Sequence, residues 1–378
     1  MNKVLFLSFF AMIVLNIAHP VTPLLINSVN LPSFTFGILY SAMAIAQFVM
    51  SPVWGSLSDS KGRKNILMIG MLGYGIGQLG FGLSSNFYMI LFFRVVGGFF
   101  SVAYLTSIVA YISDITSKEE RVKYMSYQVA FTSLGASVGY LIGGFFGNYG
   151  YKASFIVQFL LSIAVSIYIY FFINETVSEK KEFNLNLNHL KMKKNVNLDF
   201  QIKIMMTAIL FVSFASTSYS STIAYYVESV LGLSTGANGI IMSVAGVLAL
   251  ISNLVINPYL SKKYEEKNIM RYVLVFSGIS IIISSLVPNI IVSFIFLGIF
   301  ILNISLVTPL QQSIVTKLSK DNYGEIIGMQ GSFKALGMVS ASLVAGFVFD
   351  FGNKLPFMFA GISCIVAYLV MKNIIKKV

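Results

Sequence analysis

Acidic residues and cysteine are nearly missing from this chain. It has one cysteine, Cys364, in 378 residues, which excludes a disulfide framework and reads as an inert thiol in an apolar setting. Asp and Glu number 14 against 26 Lys and Arg, and charged residues make up only 11% of the whole. Long hydrophilic stretches are missing too, apart from residues 174–201, where ETVSEKKE and HLKMKKN interrupt apolar sequence. That stretch reads as a flexible or surface-lying connector, with His189 solvated and not a ligand. There is no nucleotide loop, no metal-ligand cluster and no nucleophile with a paired base, so the sequence calls for no enzyme activity and no cofactor or metal.

Apolar sequence fills the chain instead. Hydrophobic residues are 56% of it, 33 are Phe, and the mean hydropathy is +0.81. Its apolar runs approach twenty residues, the length that crosses a hydrocarbon core about 30 Å thick. Reading from turn to turn places spans near 4–26, 34–56, 65–84, 87–112, 124–147 and 152–173, then 202–227, 236–257, 270–287, 290–314, 325–349 and 355–371. The expectation is an all-α membrane protein of twelve transmembrane helices in two six-helix bundles, 1–173 and 202–378, joined by the 174–201 connector. Met1 to His19 begins like a signal peptide, with Lys3 before an apolar run. No small-residue cleavage site follows, and the run continues through Pro20 and Pro23 into a full span, so it reads as a retained first helix.

The net charge of +12 is explained by where it falls. With these spans, 22 of the basic residues lie in the loops and termini of one side, from Lys3 through Lys61, Arg63 and Lys64 to Lys377. Only Lys152 and Lys354 lie on the other, and Arg94 and Lys334 fall within spans. Such a bias places both termini and the connector in the cytoplasm of a cell (plasma) membrane. The basicity is therefore topological and leaves no room for a nucleic-acid partner; the expected partners are the lipid bilayer, a small-molecule substrate and protons, for a monomer.

The halves also repeat. Shifting by 202 positions brings Gln128, Phe131, Leu134, Gly135, Gly144, Phe145, Gly150, Lys152 and Phe155 onto Gln330, Phe333, Leu336, Gly337, Gly346, Phe347, Gly352, Lys354 and Phe357. Internal repeats of this kind build transporters that rock two halves about a midplane site.

The stretch GSLSDSKGRK, Gly55 to Lys64, concentrates charge between the second and third spans. It resembles the G-x-L-x-D-x-x-G-R-K/R loop of the major facilitator superfamily and stands where that family carries it. Gly55 and Gly62 permit a tight turn, while Asp59 and Arg63 are charges at a helix boundary that can pair when cytoplasmic ends come together. The resemblance implies a latch that favours the outward-open state, with Asp114 and Arg121 of SDITSKEER as partners. NPYLSKKYEEKN, Asn257 to Asn268, is a degraded copy without the Gly and Arg of the pattern, and the latch role is not carried onto it.

LFFRVVGG, Leu91 to Gly98, resembles the family's fourth-helix motif, and GASVGYLIGG, Gly135 to Gly144, resembles its fifth-helix antiporter pattern with Tyr140 in place of Pro. Gly135, Gly139 and Gly143, with Gly144 beside them, recur every four residues and also allow close helix packing. The chain is thus similar to the twelve-helix drug:proton antiporter branch, the group of tetracycline and multidrug exporters.

By the family's fold, spans 1, 4, 7 and 10 line the substrate cavity. Their polar candidates are Asn16 in the first, Ser101, Tyr104 and Tyr111 on one face of the fourth, Ser213 and Thr217 in the seventh, and Asn303 and Gln311 in the tenth. Lys334, about nine residues and some 13 Å into the eleventh, either faces the cavity or snorkels. Charges inside a membrane cost at least about 2.5 kcal/mol each and are functional by default. Arg94 keeps its proton, so the coupling candidates able to change protonation are His19, Glu228 and the Asp59–Asp114 cluster, with Arg94 biasing a neighbour. No acid stands mid-span, so the interior leans positive and favours a neutral, zwitterionic or anionic substrate over an organic cation. The leading expectation is proton-coupled export of a small amphipathic compound by alternating access. The alternatives are an importer or facilitator of a small neutral or anionic metabolite, and a non-transporting receptor or lipid-handling protein.

Overall fold

A computed structural model of the chain describes residues 1–177, 200–318 and 323–372. His189 and most of the 174–201 connector lie outside the described residues. Every regular element among those described is helical, as a hydrocarbon solvent requires: with no water to bond, each backbone N–H and C=O must find its partner within its own segment.

Twelve helical spans follow one another: α1 (Asn2–Ser28), α2 (Thr35–Lys61), α3 (Arg63–Leu83), α4 (Phe87–Asp114), α5 (Lys118–Gly147), α6 (Tyr151–Phe172), α7 (Phe200–Val230), α8 (Thr235–Lys263), α9 (Glu266–Leu286), α10 (Ile290–Leu318), α11 (Tyr323–Phe349) and α12 (Leu355–Met371). Eleven contain a stretch long and apolar enough to cross a membrane, and α12 has 17 residues. Several run past the predicted spans, because amphipathic ends such as Lys118–Lys123 of α5 continue the helix beyond the apolar stretch. Two π-helical turns, Tyr226–Val230 in α7 and Ser252–Ile256 in α8, had no counterpart in the sequence reading.

The helices gather into two compact units. The first comprises residues 1–32, 42–186 and 224–247, and the second comprises 33–41, 187–223 and 248–378. Each unit therefore takes in a short helical segment from the other half of the sequence. In the first, Val4, Leu7 and Val14 of α1 meet Met71 and Tyr74 of α3, Tyr104 and Ile108 of α4, and Val165 and Ile169 of α6 in one core. In the second, Met205 and Ile209 of α7, Met270 and Leu274 of α9, Leu310 and Ile314 of α10 and Met371 of α12 do the same. Cys364 is fully buried on α12.

α5 lies along α1 by means of its small residues. A Cβ at Gly135, Gly139 or Gly143 would strike the backbone of Phe9, Ile13 or Ile17 respectively. The four-residue spacing thus serves helix packing in this fold, and Gly337 of α11 approaches the Leu210 carbonyl of α7 in the same manner.

Candidate functional site

Gly62 is the single residue between α2 and α3, with φ +102°, a conformation that side chains with a Cβ rarely adopt. This tight turn sets Arg63 at the start of α3 between two carboxylates. Its Nη1 is 2.5 Å from Asp59 Oδ1 and its Nε is 3.0 Å from Asp114 Oδ2 at the end of α4. Glu175, just beyond α6, completes the cluster. Its carboxylate accepts the Arg63 N–H at 2.8 Å and the Lys64 N–H at 3.2 Å, capping the otherwise open N-terminus of α3. Thr176 Oγ1 donates to Asp114 Oδ2 at 3.0 Å.

All of these groups belong to the first unit. Arg63 therefore forms its pairs inside one bundle, whereas the sequence reading had such pairs wait for the cytoplasmic ends to meet. Gly55 has open space about it, and Arg121 donates from Nη2 to the Ser113 carbonyl at 2.9 Å. Glu175 was missed because it stands at the edge of the hydrophilic connector, where an acid has no distinguishing signal.

The second unit carries a matching cluster with its charges exchanged. Glu266 begins α9 as Arg63 begins α3, and its Oε2 lies 3.0 Å from Nζ of Lys317 near the end of α10. Ser313 Oγ donates to Glu266 Oε1 at 2.8 Å. One shift of 203 positions carries both Arg63 onto Glu266 and Asp114 onto Lys317. The loop motif is degraded in its glycine and arginine, yet the interhelical ion pair is retained with opposite sign. Neither residue alone signals this; the pair does.

The opposite ends of the helices meet through small residues. In the first unit, Gly144 of α5 touches Gly239 of α8, where a Cβ on Gly144 would lie 2.9 Å from the Gly239 Cα. One turn along α5, Asn148 Oδ1 meets Thr235 Oγ1 at 3.1 Å and accepts the Gly236 N–H at 3.2 Å. In the second unit, Gly346 of α11 touches Gly37 of α2, and Ser33 Oγ donates to Asp350. A shift of 202 positions relates Gly37 to Gly239, Gly144 to Gly346, Asn148 to Asp350 and Ser33 to Thr235. Each contact joins a helix of the first half of the sequence to one of the second through glycines and hydrogen bonds, and beside the second contact the Phe36 and Phe349 rings pack edge-on with centroids 5.5 Å apart.

α1 is broken in the middle. Pro20 and Pro23 have no N–H for the carbonyls four residues earlier, so the α-helix stops at Asn16, a 3₁₀ turn covers His19–Val21, and the helix resumes at Thr22. Buried side chains from other helices bond the backbone beside the break. Gln158 Nε2 donates to the Val14 carbonyl at 2.6 Å, Tyr74 Oη to Leu15 at 2.9 Å and Asn238 Nδ2 to Pro20 at 3.1 Å. Gln158 Nε2 also lies 3.3 Å from Tyr74 Oη, which links two of these braces.

Two coupling candidates lie near this break. The His19 ring packs edge-on against Tyr140, the residue replacing the family's proline, with centroids 6.0 Å apart. Arg94 is 3% exposed, stacks over Phe81 at 5.0 Å and is near enough for its charge to act on His19. Glu228 stands apart from them, in the π turn of α7, with its carboxylate oxygens shielded from solvent beside Asn27.

The cavity candidates distribute unevenly. Tyr104 and Tyr111 are packed into the apolar core of the first unit rather than left open to a ligand. Asn16 turns back on its own helix, donating to the Met12 carbonyl at 2.7 Å. Ser101 is buried, donating to Gly98 and accepting from Gln47, both at 3.0 Å. Ser213, Thr217 and Gln311 are buried in the second unit, where Ser213 adjoins Gly337. Lys334 is exposed, and Asn303 lines a groove between α8, α9 and α10.

Known proteins resemble this chain over nearly its whole length. The sequence profile of the Major Facilitator Superfamily matches residues 4–304 and again 205–375. Multidrug resistance protein 2 of Bacillus subtilis is 24% identical over 95% of this chain and 90% of its own length. Quinolone resistance protein NorA of Staphylococcus aureus is 21% identical over 98% and 96%. Among solved structures, a bacterial homolog of the human lysosomal transporter Spinster superposes with a TM-score of 0.75 at 13% identity, covering 98% of this chain and 95% of that one. That likeness is one of fold.

Proposed function

The chain belongs to the major facilitator superfamily, a multi-pass membrane transporter and not an enzyme, and on that premise we propose that it exports a small amphipathic compound in exchange for protons. The observation that carries this reading is the full-length similarity to proteins named for multidrug and quinolone resistance. The paired glycine contacts support it. Helices meeting chiefly through glycines and a few hydrogen bonds separate at small cost, which alternating access demands.

Protons need a group that changes charge between states. His19 beside Arg94 and Glu228 in its π turn are the candidates within described spans. In this reading the protein acts as a monomer in the cell membrane with both termini cytoplasmic, as its one-sided lysines and arginines favour. The second reading, a facilitator, rests on the acid-poor interior, where Glu228 is the one acid in a described span away from the charged loop clusters.

Inside-out vesicles energised with a proton gradient and given amphipathic antibiotics or dyes in the medium provide the test. Accumulation that stops when an uncoupler collapses the gradient, with reciprocal proton movement, is the expected result. Equilibration of a transported compound indifferent to the uncoupler would falsify proton coupling and leave the facilitator.

A further inference from the structure

We propose that the groove between α8, α9 and α10 holds an acyl chain of an anionic phospholipid, whose headgroup is gripped by Lys262 and Lys263. The groove encloses about 510 Å³, within the range of small-molecule sites. Its walls are Ile256 and Leu260 of α8, Asn268, Tyr272 and Phe276 of α9, and Leu302 of α10. The α9 residues recur every four positions and define a furrow about 12 Å long, open on the side where Tyr272 and Phe276 are exposed.

The other half of the chain shows that this space is not a general consequence of the fold. There the same position is a packed cluster of Trp54, Leu57, Ile66, Phe99, Phe100 and Ala103. The Trp54 ring lies 5.3 Å from Phe99 and 5.8 Å from Phe100, and its Nε1 donates to the Phe99 carbonyl at 2.7 Å. The 203-position shift that aligns the two ion pairs carries Leu57, Ile66 and Ala103 onto Leu260, Ile269 and Leu306, three residues of the groove. It carries Phe99 and Phe100 onto Leu302 and Asn303, and Trp54 onto Asn257, next to Ile256. Three aromatic rings are thus lost from α8 and α10, while Ile69 and Gly73 become Tyr272 and Phe276, so that the aromatic wall moves to the open α9 side. The π turn Ser252–Ile256 ends at the same wall, tied to α10 by Ser252 Oγ donating to the Leu302 carbonyl at 2.5 Å. An irregular backbone turn at the wall of a groove is a common mark of a site.

Charge identifies the occupant. One end of the furrow opens at the loop between α8 and α9, where Tyr264 and Asn268 line it. The two acids there are already engaged, Glu265 with Lys267 at 3.3 Å and Glu266 with Lys317 at 3.0 Å. Lys262 and Lys263 remain exposed, with Lys263 held over the Tyr259 ring at 4.3 Å. An apolar furrow whose loop end, at Leu260 and Tyr264, adjoins a helix terminus with two exposed lysines fits a lipid tail and a phosphate headgroup. It does not depend on what the protein transports.

The test uses the full chain purified in detergent and incubated with dioleoyl phosphatidylglycerol or dioleoyl phosphatidylcholine, with bound lipid counted by native mass spectrometry. The expected result is retention of phosphatidylglycerol at least about five-fold above phosphatidylcholine, and a ratio near one in the Lys262→Gln/Lys263→Gln chain. Filling the furrow with Ile256→Trp and Leu302→Phe is expected to reduce binding of both lipids. Equal retention of the two lipids by the unmodified chain overturns the proposal, as does undiminished binding in a folded, filled variant. Displacement of phosphatidylglycerol by the lipophilic dye ethidium, without preference for either lipid, would assign the furrow to a membrane-borne substrate instead. Should the filled variant fail to fold, the lipid ratio of the unmodified chain and of the lysine variant still decides.

Discussion

Glu266 and Lys317 hold the start of α9 to the end of α10 at 3.0 Å, and they do so with the signs of the Arg63–Asp114 pair reversed. An ion pair is indifferent to which helix supplies which charge, so a duplicated bundle can exchange the partners and keep the tie between its helices. In each unit the pair fixes the helix–loop–helix corner on the lysine-rich side.

Reversing one charge at a time tests this. Glu266→Lys alone sets two cations together and is expected to lower transport, while Glu266→Lys/Lys317→Glu restores it. Lys317 is 47% exposed on its side chain, so solvent screening limits the pair's contribution to stability to less than about 1 kcal/mol. Lys317→Ala is therefore expected to leave the thermal unfolding midpoint in detergent almost unchanged. Loss of transport with an unshifted midpoint would show that the tie acts in the cycle rather than in folding.

Gly62 is the tightest constraint in the first cluster. With φ +102° and the Glu175 carboxylate where a Cβ would stand, Gly62→Ala is expected to cost about 1–3 kcal/mol. Glu175→Gln, which keeps an acceptor for one of the two N–H groups, leaves the other to solvent and removes the charge at the helix N-terminus, is expected to cost about 0.3–1 kcal/mol. Unfolding of the two variants, followed by circular dichroism, checks the order.

A side chain at Gly144 cannot coexist with the observed contact, since its Cβ would lie 2.7 Å from the Thr235 carbonyl. Gly144→Val is expected to hold α5 and α8 apart while the protein still inserts. In a Cys364→Ser background, a cysteine introduced by Asn148→Cys becomes more reactive towards a membrane-impermeant thiol reagent, and transport falls at least about tenfold. Gly346→Val is expected to do the same at Asp350. Unchanged reactivity at both places would mean that these contacts do not open during transport.

The braces on the broken α1 are coupled. Removing Tyr74 Oη or Gln158 Nε2 leaves a buried carbonyl of Leu15 or Val14 without its side-chain donor, a loss of about 1–3 kcal/mol. Because Tyr74 and Gln158 also touch each other at 3.3 Å, the double change Tyr74→Phe/Gln158→Leu is expected to cost less than the sum of the single changes. Strict additivity in thermal unfolding would show that the two act independently.

Some functional geometry was legible in residue types and spacing. The tight turn at Gly62, the Asp59–Arg63 pair and the close α1–α5 packing at Gly135, Gly139 and Gly143 follow from local pattern, and Asp114 was reached through the family resemblance. Tyr104 and Tyr111 share a helical face with Ser101, as their spacing required, but that face turns into the core. Periodicity identifies a common face and is silent on what the face meets. Asn303 sits in a groove because it, Leu302 and Asn257 stand where the first half has Phe100, Phe99 and Trp54.

Length and apolarity by themselves determined that the chain spans a membrane as helices, since hydrocarbon satisfies no backbone group and leaves the helix as the available form for such runs. The prolines of α1 determined that it would break, and the repeat set matching glycines in the two halves, Gly144 with Gly346 and Gly37 with Gly239. The tertiary structure decided which residues complete a site: Glu175 on the turn of α3, Lys317 on Glu266, and Gly37 and Gly239 on glycines far along the chain. These depend on distances between helices, which arise from the packing of many side chains at once and are encoded at no single position.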